Sequence, residues 1–367
     1  MAERGARPAV PEWRLRGLRA LRSLFTPLLP DDYLELINPL WSTQELRGRI
    51  ERIEPEGGGA VTVTIKPGWE WPGHRPGQYL RVGMPVDGIH HWRAYSITSE
   101  PEREDGCISI TPKLVEAGKV SPYLVHAARP GVIVRLGGVE GAFTLPDPLP
   151  SRLLFISAGS GITPIMSMLR SIDCRVQFTN VVHLHSARTA EDVIFGEELR
   201  ELSRRNPTIR LHEQHTAEHG RMTPADLDAL CPDWRERETY LSGPAEMLSA
   251  FTAHWKQELG DCDHLHLEHF QPYLGGEEGE QGDGGAIRFR ASGVTAVSDG
   301  SQPILVAGEE AGATLPFGCR MGICHTCVGR LCSGRVRDLR TGDVHGQSGE
   351  MVRTCINAPE GAIEIEL

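Results

Sequence analysis

The segment CRMGICHTC, Cys319 to Cys327, sets three thiols at a C-x4-C-x2-C spacing, and Cys355 follows after 27 more residues in VRTCINAP. Gly318 precedes the first thiol and Gly322 lies inside the first gap. This pattern constrains the fold more than any other feature. One loop must close over whatever the thiols hold, and residue 355 must return to it.

Three occupants compete for such a set. Structural zinc takes four thiolates, but usually from two C-x2-C knuckles, and here there is one. Disulfides require an oxidising compartment. The chain has a basic N-terminus without an apolar h-region, and no run of about 20 apolar residues, so neither a secretion signal nor a spanning helix is expected. The expected location is therefore the cytoplasm, where nine cysteines read as metal or redox ligands first. The third occupant is a [2Fe–2S] cluster, for which C-x4-C-x2-C…C is the plant-type spacing. Two irons and two sulfides need four thiolates around a compact core. Glycines at 318 and 322 let the backbone approach and turn N–H groups toward sulfur. Cys332 falls outside the pattern and is expected to be an ordinary buried thiol.

With 367 residues the chain has room for two or three domains, and 41 Gly with 26 Pro point to many turns. The net charge of −11 argues against nucleic-acid binding. Residues 1–30 carry six Arg against Glu3 and Glu12, so a basic arm (1–45) precedes an acidic body. Within it, WRLRGLRALRSLF sets Leu15, Leu18, Leu21 and Phe25 on one helical arc that Arg14 interrupts. Such a helix packs on the next domain or rests on an anionic membrane.

From 46 to 148 six short β-branched runs (GRIERIE, AVTVTIKP, GQYLRVGM, RAYSIT, CISITPK, GVIVRLGG) predict an antiparallel barrel, with VSPYLVHAA as a helical insert. From 149 to 272 strands alternate with helices, including EDVIFGEELRELSRR, which predicts βαβ units and a parallel sheet. GGEEGEQGDGG then reads as a flexible acidic linker (273–285), and 286–367 as a separate unit with the thiols. SAGSGITP, at the first strand-to-helix junction, aims backbone N–H groups and a helix dipole at phosphate. HWRAYSIT offers a cation, a flat ring and a hydroxyl on one strand. In HLHLEHF, His264, His266 and Glu268 share a strand face, as packing or as a metal site.

Residues 286–367 resemble a plant-type ferredoxin. The order barrel, R-x-Y-S, GSGITP and SGP resembles ferredoxin–NADP reductase-like flavoproteins, in the layout of phthalate and benzoate dioxygenase reductases. The resemblance implies a flavin barrel, an α/β parallel-sheet nucleotide domain and an α+β, β-grasp-like ferredoxin domain. Cys319 and Cys324 would hold the outer iron, and Cys327 and Cys355 the inner, at a potential of roughly −400 mV. Arg93, Tyr95 and Ser96 would hold FAD, with Ser96 near the flavin N5. Gly118, Lys119, Val120 and Ser121 would bind its pyrophosphate. Gly159, Gly161, Thr163 and Pro164 would hold the nicotinamide nucleotide.

The family usually has C-G-P beside the nicotinamide; this chain has Ser242-Gly243-Pro244. Ser96, Thr163 and Ser242 are thus the expected catalytic positions, and Glu268 and Phe270 would flank the flavin. Ser186 and Arg188 end the second βαβ strand with no acid in those two places. NADPH is therefore expected, with NADH as the alternative. Hydride would pass to the flavin, and electrons singly to the cluster. FTPLLPDDYLELINPLWS and the cluster loop look closest to oxidoreductases serving membrane-bound di-iron acyl-CoA desaturases, with the basic arm at the inner membrane face. A reductase for a soluble Rieske or haem-thiolate oxygenase is the alternative partner assignment, and a non-catalytic redox sensor the alternative class.

Overall fold

The structure is a computed structural model that describes residues 37–42, 45–86, 89–116, 118–174, 179–269, 283–317, 322 and 325–367. The basic helix expected within 1–36 lies outside them. No helix among the described residues is long and apolar enough to cross a membrane. Most of the barrel and of the nucleotide layer form one compact unit, and residues 91–94, 243–250 and 283–367 belong to a second.

All six expected barrel strands are present: β1 (Arg47–Pro55), β2 (Val61–Pro67), β3 (Tyr79–Val86), β4 (Ile89–Ser96), β5 (Ile108–Ile110) and β6 (Ile133–Glu140). Their order is β4-β3-β6-β1-β2-β5, and a bridge between Ile97 and Ile110 joins the two edges. Alternation drives the closure. Val63, Ile65, Leu80, Val82 and Met84 point inward and are fully buried. The insert is a helical turn, Val120–Pro122, followed by a π turn, Tyr123–Ala127, and its Val120 and Leu124 join the barrel core. The end of the N-terminal arm packs here too: Leu40 is buried, and Trp69 Nε1 donates to Ser42 O at 3.4 Å.

The second layer holds β7 (Arg152–Ala158), β8 (Asn180–Ala187), β9 (Ile209–His215), β10 (Glu238–Gly243) and β11 (Leu265–His269), in the order β11-β10-β7-β8-β9. Strands β10, β7, β8 and β9 run parallel. Helices α1 (Ile162–Asp173), α2 (Gly196–Arg205) and α3 (Ala245–Leu259) accompany them. Leu153 to Ile156 are all fully buried, as a parallel strand covered on both faces requires.

The helix expected from Glu191 begins only at Gly196. Val193, Ile194 and Phe195 are buried instead in a turn, and Phe195 takes a left-handed φ of 61°. Burial of this apolar trio overrides the local helical pattern. That turn meets the barrel, where Gly58 N donates to Glu191 O at 3.1 Å. A Cβ on Gly57 would lie 2.3 Å from Val193 O, so glycine is needed for the close approach. Helix α1 is fastened to the barrel by Ser167 Oγ donating to Ser99 O (2.6 Å) and Arg170 Nη1 to Thr98 O (2.7 Å). The rest of the Arg170 guanidinium forms a two-pronged pair with Glu198.

The third domain contains β12 (Gly285–Phe289), β13 (Thr295–Ser298), α4 (Ile304–Glu310), β14 (Val328–Asp338), β15 (Val344–His345), β16 (Met351–Arg353) and β17 (Asn357–Glu366). The sheet order is β13-β12-β17-β14-β15, with β16 on β14, and β12 runs parallel to β17. First and last strands side by side, with α4 packed over them, give the expected β-grasp arrangement. The last two glycines of the expected linker are not spacers. Gly284 O accepts the Gly361 N–H at 2.8 Å, and Gly285 opens β12. A Cβ on either would lie within 2.5 Å of a backbone oxygen, so close packing demands glycine there. Residues 270–282 lie outside the described residues.

Candidate cofactor sites

Strand order locates the nucleotide crevice. From β7 the chain winds through β8 to β9 on one side, while β10 lies on the other. The order therefore reverses between β7 and β10, and ligands of open α/β sheets bind outside the carboxyl ends at such a switch point. There β7 passes through a tight turn, Gly159–Gly161, into α1, with Gly159 at φ 53° and open space where its Cβ would be. The first turn of α1 carries neither an acidic residue nor a side-chain cap, so its N–H groups suit a phosphate. Thr163 is buried and its Oγ1 donates to Ser160 O at 3.0 Å, which shapes the turn. Pro164 is buried in the first helical turn, where it removes no helical hydrogen bond.

Ser242 lies at the switch point opposite Ser157 on β7. It is fully buried, and its Oγ has no hydrogen-bond partner among the described residues. A buried hydroxyl without a partner costs free energy unless a ligand or water satisfies it. Gly243 and Pro244 follow and lead into α3. At the end of β8, Ser186 is buried and Arg188 exposed.

A polar row beneath the crevice was not foreseen in the sequence. Ser157 Oγ lies 2.9 Å from His183 Nε2 and 2.8 Å from His185 Nδ1. One hydroxyl proton serves only one ring, so the other ring must donate to Ser157. Burial, then the neighbouring His185, hold the His183 pKa well below its usual value. Burial likewise lowers His185 to about 4, although Glu213 on the next strand opposes the shift. Both rings are therefore neutral at pH 7. Only the alternation of His183 and His185 hinted at a shared face. Pairing with Ser157 depends on a register that the sequence does not display.

On the barrel side, Arg93, Tyr95 and Ser96 follow one another on β4. Arg93 Nη1 donates to Trp92 O at 2.7 Å, Tyr95 is half-buried, and Ser96 is buried. At the insert, Gly118 N donates to Val115 O (2.8 Å), and Ser121 Oγ accepts from Val115 N (3.0 Å). Val120 is inside the barrel core and Lys119 is exposed, so of this quartet the backbone and the lysine remain for a ligand. Glu268 is half-buried on β11, and burial raises its pKa to about 7. Phe270 lies outside the described residues.

Two of the four expected thiol ligands are described. Cys327 and Cys355 are buried and form no disulfide. Gly322 N donates to Cys355 Sγ at 3.2 Å, and both Thr354 N and Thr354 Oγ1 donate to Cys327 O. Gly322 has φ 71°, and a Cβ there would lie 2.5 Å from Ile356 Cδ1. Buried thiols with an N–H aimed at sulfur fit an iron–sulfur cluster. Cys319 and Cys324 lie outside the described residues.

One expectation is corrected, and one pair of alternatives is narrowed. Cys332 is only half-buried, with Arg290 Nη1 3.8 Å from its sulfur, because its place on β14 reaches the surface. In HLHLEHF the contacts favour packing over a metal site, with His266 stacked on Tyr240. His264 and His266 both pair with Glu238 on β10, His264 Nδ1 at 2.9 Å. Among the described residues no cluster of three such side chains could hold a metal.

Three family models match the chain: an oxidoreductase FAD-binding domain over 71–145, an oxidoreductase NAD-binding domain over 155–252 and a 2Fe-2S iron-sulfur cluster binding domain over 288–360. An "NADPH oxidoreductase" of Mycobacterium tuberculosis is 46% identical over 358 residues, which is 96% of this chain and 93% of that protein. A 3-ketosteroid-9-alpha-monooxygenase ferredoxin reductase component of Mycolicibacterium smegmatis is 31% identical over 72% of this chain and 77% of its own. A glycine betaine monooxygenase reductase subunit of Pseudomonas aeruginosa is 29% identical over 80% and 87%. The solved phthalate dioxygenase reductase shares the fold, with a TM-score of 0.58 at 19% identity, covering 88% of this chain and 98% of its own. The chain is an NAD(P)H-dependent oxidoreductase, and it belongs to the ferredoxin–NADP reductase-like flavoproteins that carry a C-terminal [2Fe–2S] domain.

Proposed function

We propose that the protein draws hydride from NADPH and delivers single electrons to the iron centre of an oxygenase. One observation carries the reading: a nucleotide crevice at a sheet switch point and a buried, N–H-bonded thiol site are built into one polypeptide. The flavin, when bound, takes electrons in pairs and releases them one at a time, and the cluster passes them on. The chain's own residues bind and orient. Arg93, Tyr95 and Ser96 seat the flavin, and Gly118 to Ser121 meet its pyrophosphate. Gly159, Gly161, Thr163 and Pro164 place the nicotinamide nucleotide. The unpartnered Ser242 hydroxyl holds the nicotinamide edge, and Gly243 and Pro244 keep that edge narrow. Glu268 and Phe270 line the flavin, while Cys319, Cys324, Cys327 and Cys355 hold the cluster. The domain limits proposed with this reading are 46–148, 149–272 and 284–367, with the acidic linker shortened to 273–283 because Gly284 and Gly285 pack in the last sheet.

The partner assignment follows the relatives. Two of those above are named as reductase components of monooxygenases, which supports a Rieske or haem-thiolate acceptor over the membrane desaturase. The desaturase assignment rests on the lead-in at 25–42 and the cluster loop, most of which lie outside the described residues. The deciding experiment couples anaerobically reduced protein to a soluble Rieske oxygenase and, separately, to a vesicle-bound desaturase. Fast electron transfer to the oxygenase, with no flotation on anionic vesicles, is the expected result. Transfer to the desaturase alone, with flotation, would reverse the assignment.

The coenzyme assignment has its own test. Arg188 is exposed at the end of β8, placed to meet a 2′-phosphate through a charge-assisted bond. Arg188→Ser is expected to raise the KM for NADPH by about tenfold or more. The kcat and the KM for NADH should barely change. Equal effects on both coenzymes would refute the 2′-phosphate role.

A further inference from the structure

The cluster loop is gripped from a side chain that the thiol pattern does not include. Arg353 lies on β16, two residues before Cys355, and its Nη1 donates to Gly322 O at 3.0 Å. Gly322 in turn points its N–H at Cys355 Sγ. The glycine is thus held from both ends, by sulfur at its nitrogen and by guanidinium at its oxygen. Its left-handed φ and its contact with Ile356 leave no room for another residue. Arg353 also pairs through its backbone with Val328, the residue after Cys327. One residue therefore connects the loop, the strand following one inner thiol and the strand leading to the other.

The charge on Arg353 is only weakly compensated. Asp338 Oδ2 lies 4.0 Å from its Nη2, but that carboxylate is already held by Arg340 through Nε (3.1 Å), Nη2 (2.9 Å) and the backbone N (2.9 Å). Adding an electron to a cluster adds negative charge. Hydrogen bonds to its sulfurs and nearby cations therefore favour the reduced form.

We propose that Arg353 is a positioning residue that raises the midpoint potential of the [2Fe–2S] cluster, by keeping the Gly322 N–H on the Cys355 sulfur and by setting a fixed positive charge against the cluster loop. This rests on the reading that the four thiols hold such a cluster. Arg353 thereby sets the driving force for reducing the cluster.

The test is an EPR-monitored redox titration of the purified full chain, with iron and sulfide content measured alongside. Arg353→Gln loses the charge, and its midpoint is expected to fall by about 59 mV, a tenfold change in the one-electron equilibrium. Arg353→Lys keeps the charge and a donor, and should move by less than half as much. A structural brace alone would lower cluster content but would not sort midpoints by charge. Equal shifts in the two variants, or an unmoved midpoint in fully loaded Arg353→Gln, would overturn the proposal. Should Arg353→Gln not load, Asp338→Asn removes the competing acid and is expected to raise the midpoint; no rise would also overturn it. A wild-type protein without a reduced [2Fe–2S] signal would instead refute the cluster reading itself.

Discussion

Replacing Cys355 with serine is expected to remove the iron–sulfur EPR signal and cut electron delivery to a one-electron protein acceptor by more than about a hundredfold, above the range seen for outer-shell partners of metal sites. Flavin reduction by NADPH should survive, because Cys355 lies in the core of the last sheet and contributes to neither the barrel core nor that of the nucleotide layer. The reasons are local. Cys355 is buried, and its sulfur accepts the Gly322 N–H. A serine hydroxyl is shorter, is a harder ligand and stays protonated where a thiolate forms. The variant should still fold, since Ile356, Val352 and Leu331 build the core around that position. Visible absorbance, iron analysis and stopped-flow reduction read the outcome. A variant that kept full cluster intensity would show that Cys355 is not a ligand.

The buried histidines are expected to destabilise the nucleotide layer as pH falls from 7 to 5. His183 and His185 are fully buried with depressed pKa values, His185 at about 4. Below the unfolded value near 6.5 the unfolded chain takes up protons that the folded layer refuses, so stability falls from there toward the folded pKa. At pH 5 the His185 ring contributes about 2 kcal/mol of loss, at 1.36 kcal/mol per pH unit, and His183 acts in the same direction. The His185 contribution alone is a sizeable share of a typical domain stability of about 5–15 kcal/mol. Glu268 acts in the opposite sense. Its raised pKa makes it stabilising below the usual carboxylate range, with the benefit lost as pH rises toward 7.

The comparison with a variant therefore isolates the histidines. Urea melts followed by tryptophan fluorescence, with Trp234 and Trp255 buried in this layer, should show a steep pH dependence in the native chain. It should be much flatter in a His183→Gln, His185→Gln double variant. The same slope in both would exclude the buried pair as the cause.

Element types were largely legible because periodicity is a local property. The alternation in AVTVTIKP and the unbroken apolar run in RLLFISA announce β2 and β7 from their neighbours alone. The C-x4-C-x2-C…C spacing announced the cluster domain for the same reason. Element limits were less legible where tertiary burial outweighed local preference. Val193 to Phe195 read as helix but are drawn into a turn against the barrel. Gly284 and Gly285 read as spacer but carry backbone packing that no side chain would permit.

Residue types and their spacing along the chain thus sufficed for the multidomain architecture and the glycine turn before α1, and they nominated the four thiols. Strand order and register decided the rest: the switch point between β7 and β10, the Ser157 hydroxyl shared by two neutral histidines, and the guanidinium of Arg353 on the loop carbonyl. Those contacts join residues about 26 to 85 positions apart. Such pairings depend on how whole strands align, and no short stretch of sequence records that alignment.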